Sequence, residues 1–274
     1  MTEQELIKAA LAEDLAGGVD ITSQATIAAD ATATADFISR MDGVIAGINV
    51  AHAVLSEVGL SDITFTKKDG DRVKAGDVLL TVRGNTRAIL LAERTALNFF
   101  GHLSGIATLT SKWVAEVAGT KCQVRDTRKT TPGMRNIEKY AVRMGGGTNH
   151  RMNLSDAALI KDNHIAAAGG VVPAFAQVRA AYPQAEIEIE VDTLEQLKEV
   201  LTQKPDLVLL DNMSPEQCAE AVALVNGLCK LEASGGISIG NARAYAQSGV
   251  DYIAIGALTH SAPVFDIGLD LRVE

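Results

Sequence analysis

The spacing of apolar residues changes character along the chain. Residues 3–14 and 86–118 carry apolar side chains at helical spacing, which predicts a short amphipathic helix and one long helix that could break near Gly101 or Gly105. Between them, residues 31–84 predict mostly strands, with one helix around 51–58 after Gly47. A polar turn is expected at residues 20–23. The first 118 residues are therefore expected to form a mixed domain of their own.

Beyond Gly119, short apolar runs alternate with helical patterns. The candidate strands span residues 122–125, 158–160, 187–191, 207–210, 231–233 and 252–255, and the helices between them lie at about 136–144, 171–181, 194–203, 215–226 and 239–247. Repeated β-α units of this length predict a parallel sheet covered by helices, and about six of them indicate a barrel.

Polar residues and glycines follow the predicted strands at the point where each one ends. They are Asp126-Thr127-Arg128-Lys129, Lys161-Asp162-Asn163-His164, Glu190, Asp211-Asn212, Ser234-Gly235-Gly236 and Gly256. In α/β barrels the carboxyl ends of the strands form the rim where ligands bind. The glycines after the last two strands let backbone N–H groups approach a phosphate, although a tight turn explains either of them alone.

Charge adds a second indication. The chain has a formal charge of −9, yet residues 125–151 hold seven cations against two acids. A cationic pocket in an acidic protein favours a small, strongly anionic ligand over nucleic acid, and a solvated charged face is the alternative. Arg128-Lys129 and His150-Arg151 can each bind a carboxylate or phosphate.

Composition limits the class of protein. The 274 residues are enough for one barrel-sized domain and a smaller one, and the apolar content of 47% excludes general disorder. No apolar run reaches the ~20 residues that span a bilayer, and the first residues do not resemble a signal peptide. Three cysteines without a C-x-x-C spacing are expected to be buried thiols, which indicates the cytosol.

Three side chains at the predicted rim have more than one interpretation. Glu190 and Asp211 can hold Mg²⁺ against substrate phosphates, act as an acid/base pair or bind ribose hydroxyls; nearby cations should keep both ionised, which favours metal or hydroxyl roles. Lys161 is either a cation that clamps an anionic ligand or a Schiff-base lysine. His150 is expected to contact the ligand.

The segment 68–80 resembles the hairpin of biotinyl and lipoyl carrier domains. No attachment lysine flanked by Met or Val is present, so the hairpin is interpreted as scaffold. A carrier module would show a covalent modification in the intact mass.

Several long motifs resemble the quinolinate phosphoribosyltransferase family, the decarboxylating enzymes of NAD biosynthesis. The matching stretches are 13–15, 20–23, 93–98, 103–108, 126–133, 138–142, 145–151, 159–165, 210–212 and 232–237. The resemblance covers nearly the whole chain, and no departure occurs at a functional position. It implies an α/β fold with an N-terminal sandwich-like domain (1–118), a C-terminal incomplete (β/α) barrel (119–263) and a final segment (264–274) that returns to the first domain.

The resemblance also implies the ligands and the roles of the site residues. It implies transfer of phosphoribosyl from phosphoribosyl diphosphate to quinolinate with loss of CO₂, in a homodimer whose active site is shared and into which Arg94 of the neighbouring subunit reaches. The implied substrate-binding residues are Arg128, Lys129, His150, Arg151 and Lys161, with Glu190 and Asp211 serving ribose and Mg²⁺ and Ser234, Gly235, Gly236 and Gly256 holding the 5-phosphate. Lys129, Lys161, Glu190 and Asp211 are the implied catalytic set. Alternatives are the molybdenum-transport-associated relative of the same superfamily and a Schiff-base lyase using Lys161.

Overall fold

The computed structural model describes residues 2–273. The helices are α1 Glu3–Leu15, α2 Ile21–Thr26, α3 Ile48–Glu57, α4 Thr86–Val117, α5 Arg135–Met144, α6 Asp162–Ala168, α7 Val171–Ala181, α8 Leu194–Leu201, α9 Pro215–Val225, α10 Ala242–Gln247 and α11 Ala257–His260. The strands are β1 Thr32–Ser39, β2 Gly43–Val44, β3 Asp62–Phe65, β4 Arg72–Val73, β5 Val78–Asn85, β6 Gln123–Arg125, β7 Ala158–Ile160, β8 Ile187–Val191, β9 Leu207–Asp211, β10 Lys230–Ser234, β11 Tyr252–Ala254 and β12 Ile267–Val273.

Two compact units divide the chain. Unit one comprises Met1–Ser111, Thr130–Gly146 and Leu258–Glu274, and unit two comprises Lys112–Lys129 and Gly147–Ala257. These units differ from the domains 1–118, 119–263 and 264–274 expected from the sequence, mainly because residues 130–146 belong to unit one.

Unit one is built on a four-stranded sheet in the order β12-β1-β5-β3. β1 pairs antiparallel with both β5 and β12, so a strand near the end of the chain lies beside the first strand. The inner face is apolar, with Ala33, Ala35 and Phe37 fully buried at alternate positions of β1, as expected for a half-buried strand. A separate pair, β2 and β4, lies against α4, where Thr108 Oγ1 accepts a 2.9 Å hydrogen bond from the Val44 amide.

α4 runs without a break through both glycines at which the sequence allowed one. A side chain at Gly101 would meet the carbonyl of Phe265, and one at Gly105 would meet the carbonyl of Pro263. The glycines therefore serve close packing of residues 263–265 on the helix. A second difference is α2, a short helix capped by Asp20 where the sequence predicted only a turn.

Unit two is a parallel six-stranded sheet in the order β6-β11-β10-β9-β8-β7. This is the cyclic strand order of an α/β barrel, left open between β6 and β7, which confirms the incomplete barrel. Strands β8 and β9 read as nearly continuous buried runs because parallel strands of this kind are covered on both faces. The carboxyl ends of the strands lie at one rim of the sheet, and the predicted site residues of unit two lie at or just after these strand ends.

Candidate functional site

A cavity of about 620 Å³ opens at the carboxyl ends of the barrel strands, and all its lining residues belong to unit two. Nine of the twelve predicted site residues line it: Arg128, Lys129, His150, Arg151, Lys161, Glu190, Asp211, Ser234 and Gly235. Gly236 and Gly256 follow β10 and β11 but are not among the lining residues. Arg94 lies exposed on α4 in unit one. The structure thus brings together the predicted cations and acids of unit two, and their roles stay predictions.

One side of the cavity is cationic. Lys129 and Lys161 are exposed, whereas Arg151 is half-buried and donates from Nη1 to the carbonyl of Ala157 at 2.9 Å. Burial lowers the pKa of Arg151, and repulsion by the neighbouring Arg128 lowers it further. Two guanidinium groups held close enough to repel each other suit a ligand with several negative charges.

Three carboxylates lie beside these cations, and two of them, Glu190 and Asp211, line the cavity. Oxygens of Glu190, Asp192 and Asp211 lie within 4.8 Å of one another, and Lys161 Nζ donates to Glu190 Oε2 at 2.8 Å. The pKa of Asp211 is raised, first by burial and then by Glu190 and Asp192. Burial and the adjacent acids therefore outweigh the opposing effect of Lys161 on the pKa of Asp211. A divalent cation bound among these oxygens would offset that repulsion.

The residues that follow β9 pack closely against the end of β10 and the residue after it. Asn212 has φ +53° and Gly235 has φ +84°, and the Asn212 amide donates to the Ser234 carbonyl at 2.9 Å. A side chain on Gly235 would run into the side chain and backbone nitrogen of Asn212. Asn212 Nδ2 in turn donates to Asp211 Oδ2 at 2.7 Å. Gly235 therefore sets the position of an acid that lines the cavity.

A half-buried arginine and three buried side chains form a cluster of which two members, His150 and Glu232, line the cavity. We call this cluster the buried quartet: Arg125, His150, Glu188 and Glu232. His150 Nε2 lies 2.7 Å from Glu188 Oε2 and 3.5 Å from Glu232 Oε1, and Arg125 Nη1 donates to Glu232 Oε2 at 2.8 Å. The Arg125 guanidinium also stacks on Tyr252, 4.4 Å from its ring centre.

Burial dominates the electrostatics of the buried quartet. It raises the pKa of Glu188 to about 7 and that of Glu232 to about 7, and the mutual repulsion of the two carboxylates adds to the shift of Glu232. Ligand atoms of His150, Glu188 and Glu232 lie within 4.8 Å of one another, so these three residues could also hold a metal ion. The cluster of Glu190, Asp192 and Asp211 offers carboxylate oxygens only, which Mg²⁺ prefers to a histidine nitrogen, so it is the better candidate for Mg²⁺.

The segment that carries His150 is fixed from β6. Asp126, fully buried, accepts from the His150 amide at 2.8 Å and from Asn149 Nδ2 at 2.5 Å. The Asp126 amide donates to the Thr148 carbonyl at 3.2 Å. One buried carboxylate thus holds the chain immediately before Arg151.

Sequence reasoning missed Glu188, Glu232 and the role of Arg125. A usable signal was present, because Glu188 stands two residues before Glu190 on β8. Side chains at i and i+2 of a strand face the same side. If Glu190 faces the ligand at the end of β8, Glu188 lies on the same face, deeper in the strand, and should face the barrel interior.

Within residues 2–273, no helix has both the length and the apolar character needed to cross a membrane.

Two family models match the chain. The quinolinate phosphoribosyl transferase N-terminal domain matches residues 20–104, and the C-terminal domain matches residues 106–270. The carboxylating nicotinate-nucleotide pyrophosphorylase of Mycobacterium leprae is 52% identical, with 98% of this chain and 96% of that protein covered. The chloroplastic enzyme of the same name from Arabidopsis thaliana is 41% identical, with 98% and 82% covered. The crystal structure of nicotinate-nucleotide pyrophosphorylase from Ehrlichia chaffeensis has a TM-score of 0.94 at 40% identity, with 99% of each chain covered.

Proposed function

We propose, because this chain belongs to the quinolinate phosphoribosyltransferase family, that it transfers phosphoribosyl from phosphoribosyl diphosphate to quinolinate with loss of CO₂. The products are nicotinate mononucleotide, CO₂ and diphosphate, and the reaction belongs to NAD biosynthesis. The observation that carries the proposal is the cavity of unit two, which two neighbouring guanidinium groups and two carboxylates line at the carboxyl ends of the strands.

The charges of the substrates explain the cationic side. Quinolinate brings two carboxylates, and phosphoribosyl diphosphate brings a 5-phosphate and a diphosphate, so the two substrates repel each other without protein cations. Arg128, Arg151 and Lys161 supply fixed positive charge on that side. Holding the reactants in attack geometry contributes ~7–11 kcal/mol to lowering the barrier.

The bond changes need no nucleophilic side chain. The pyridine nitrogen donates its electron pair to C1 of the ribose, and the bond from C1 to the diphosphate oxygen breaks with its electrons leaving on diphosphate. Lys129 and Lys161 are proposed to stabilise that leaving charge. The bond to the adjacent carboxylate then breaks, CO₂ leaves, the cationic ring receives the electron pair, and the ring carbon takes up a proton.

Magnesium is part of the proposal, with Glu190 and Asp211 as its protein ligands. The fit rests on the donor set: carboxylate oxygens lie within 4.8 Å of one another beside the cavity that we propose for the phosphates, and Mg²⁺ prefers carboxylate and phosphate oxygens. When bound there, the ion supplies positive charge that neutralises the diphosphate. Ser234 and Gly235, at the turn after β10, are proposed to hold the 5-phosphate together with Gly236 and Gly256.

A homodimer with a shared active site is proposed as the working form. Its support is Arg94, which is exposed on α4 in unit one while the cavity is lined by unit two alone. Co-expression of R94A and K161A subunits tests this. Hybrid dimers with a shared site contain one intact site, so activity should return to about a quarter of wild type, whereas unshared sites stay inactive. The cytosolic location stays a prediction.

The decisive experiment is release of CO₂ from carboxyl-labelled quinolinate, with each of phosphoribosyl diphosphate and Mg²⁺ omitted in turn. Release that needs phosphoribosyl diphosphate supports the transferase, and loss of release on omitting Mg²⁺ supports the metal assignment. No release from folded, dimeric protein would refute the quinolinate assignment and favour the molybdenum-associated relative. Borohydride trapping of a carbonyl compound on Lys161 would instead favour the Schiff-base lyase.

A further inference from the structure

His150 lines the cavity, yet both of its ring nitrogens have partners inside the protein. The Arg151 backbone N–H donates to Nδ1 at 2.8 Å, and a backbone N–H can only donate. Nδ1 must therefore carry the lone pair, and the ring proton must sit on Nε2. That proton points to Glu188 Oε2 at 2.7 Å. The ring is 7% exposed, so water does not compete for either nitrogen.

The rest of the buried quartet holds the acceptor of that hydrogen bond in place. Glu188 and Glu232 are 4% and 0% exposed, and Arg125 Nη1 bonds Glu232 at 2.8 Å while its guanidinium stacks on Tyr252. Arg125 Nη2 also reaches the Asn149 carbonyl at 3.5 Å. The cluster thus contacts the 149–151 segment from two directions, without any member of it other than His150 needing to touch a substrate.

We propose that Glu188, supported by Glu232 and Arg125, is a positioning residue for the reaction: it fixes the His150 ring as the Nε2–H tautomer, and through Nδ1 that ring fixes the backbone of Arg151. The role belongs to the hydrogen bond that Glu188 accepts and not to its charge. The inference rests on the proposed transferase function for its kinetic part only.

The kinetic test compares E188Q and E188L with E186Q. A Gln carbonyl still accepts from Nε2–H, a Leu side chain cannot, and Glu186 is exposed just before the same strand, which makes E186Q the matched control. Displacement of a positioned group by about 1 Å costs on the order of 100-fold, so E188L should lose about that factor in kcat. E188Q should stay within about tenfold of wild type, because its hydrogen bond remains. KM should change less than kcat in both variants.

A second measurement needs no substrate. In ¹⁵N-histidine-labelled protein, the His150 signals are assigned by their loss in H150Q, and the protonated nitrogen is read directly. We expect the proton on Nε2 in the wild type and in E188Q, with slow exchange, and rapid exchange with water in E188L.

Each outcome decides a different statement. A proton on Nδ1 in the wild type would overturn the positioning role. Equal loss of kcat in E188Q and E188L would also overturn it, since charge or fold stability would then be the cause. An inactive wild type with the Nε2–H pattern intact would refute the proposed function and leave the positioning geometry supported by the resonance data.

Discussion

Replacing Glu232 by Gln should make the stability of the protein less sensitive to pH. Glu232 is fully buried, and its pKa is raised from 4.5 to about 7, mainly by burial. The folded state therefore holds the Glu232 proton more tightly than the unfolded state does. The resulting stabilisation is complete below pH 4.5 and disappears as the pH rises through about 7.

The magnitude follows from the two pKa values. One pKa unit corresponds to ~1.4 kcal/mol, so between pH 5 and pH 8 the wild type should lose about 2–3 kcal/mol of unfolding free energy at this residue. E232Q resembles the protonated acid and cannot lose it. The unfolding free energy of E232Q minus that of the wild type should therefore increase by about 2–3 kcal/mol from pH 5 to pH 8.

The chain offers a convenient probe and a matched control. Trp113 is the single tryptophan, is buried and belongs to unit two, so its fluorescence during urea unfolding reports on the unit that contains Glu232. E186Q makes the same chemical change at an exposed position. Parallel stability curves for the wild type and E232Q from pH 5 to 8 would refute the reasoning, because Glu232 would then titrate as it does in the unfolded chain.

Three further predictions concern the rim of the cavity. G235A should destabilise the protein more than G227A in urea unfolding and should raise KM for phosphoribosyl diphosphate in initial-rate assays. Both positions have positive φ, so an alanine costs roughly 1–2 kcal/mol of backbone strain at either one, but only the side chain at position 235 would also clash with Asn212. D211N should raise the Mg²⁺ concentration that gives half-maximal rate, and in the wild type that concentration should rise as the pH falls, because protons compete for an acid whose pKa is raised; an unchanged Mg²⁺ titration would contradict the metal assignment. K161A removes a charged partner of Glu190 and should lower kcat/KM about 10- to 100-fold, the value of one charge-assisted hydrogen bond, and near-normal turnover would exclude Lys161 from the leaving-group role.

The sequence was sufficient for the barrel because its periodicity is local. β7, β8 and α7 begin and end where the apolar runs predicted, at 158–160, 187–191 and 171–181. The site residues at strand ends followed from the same pattern, since parallel strands deliver their carboxyl ends to one rim. Family resemblance contributed Arg94, which no local pattern distinguishes from an ordinary helix-surface arginine.

What the sequence did not reveal depends on contacts between distant segments. Residues 130–146 carry a helical pattern that suits the barrel, and only packing assigns them to unit one. Gly101 and Gly105 suggested a possible helix break from the sequence. Their reason is the packing of residues 263–265 against α4, which no local pattern predicts. Glu188 and Glu232 are charged, and charge alone suggests a solvent-facing position until the barrel places them inside.

β1 cannot complete its pairing until residues 267–273 have been synthesised, because one of its two partner strands is β12. Unit one gathers residues from the beginning, the middle and the end of the chain, whereas the last residue of unit two is Ala257. During synthesis, β1 can pair with β5 early but must wait for residues 267–273 to cover its other edge. Until then it is an open sheet edge, the kind of surface that recruits other chains. A chain whose synthesis ends before residue 267 should therefore be prone to aggregate through β1, although it already contains every residue of unit two.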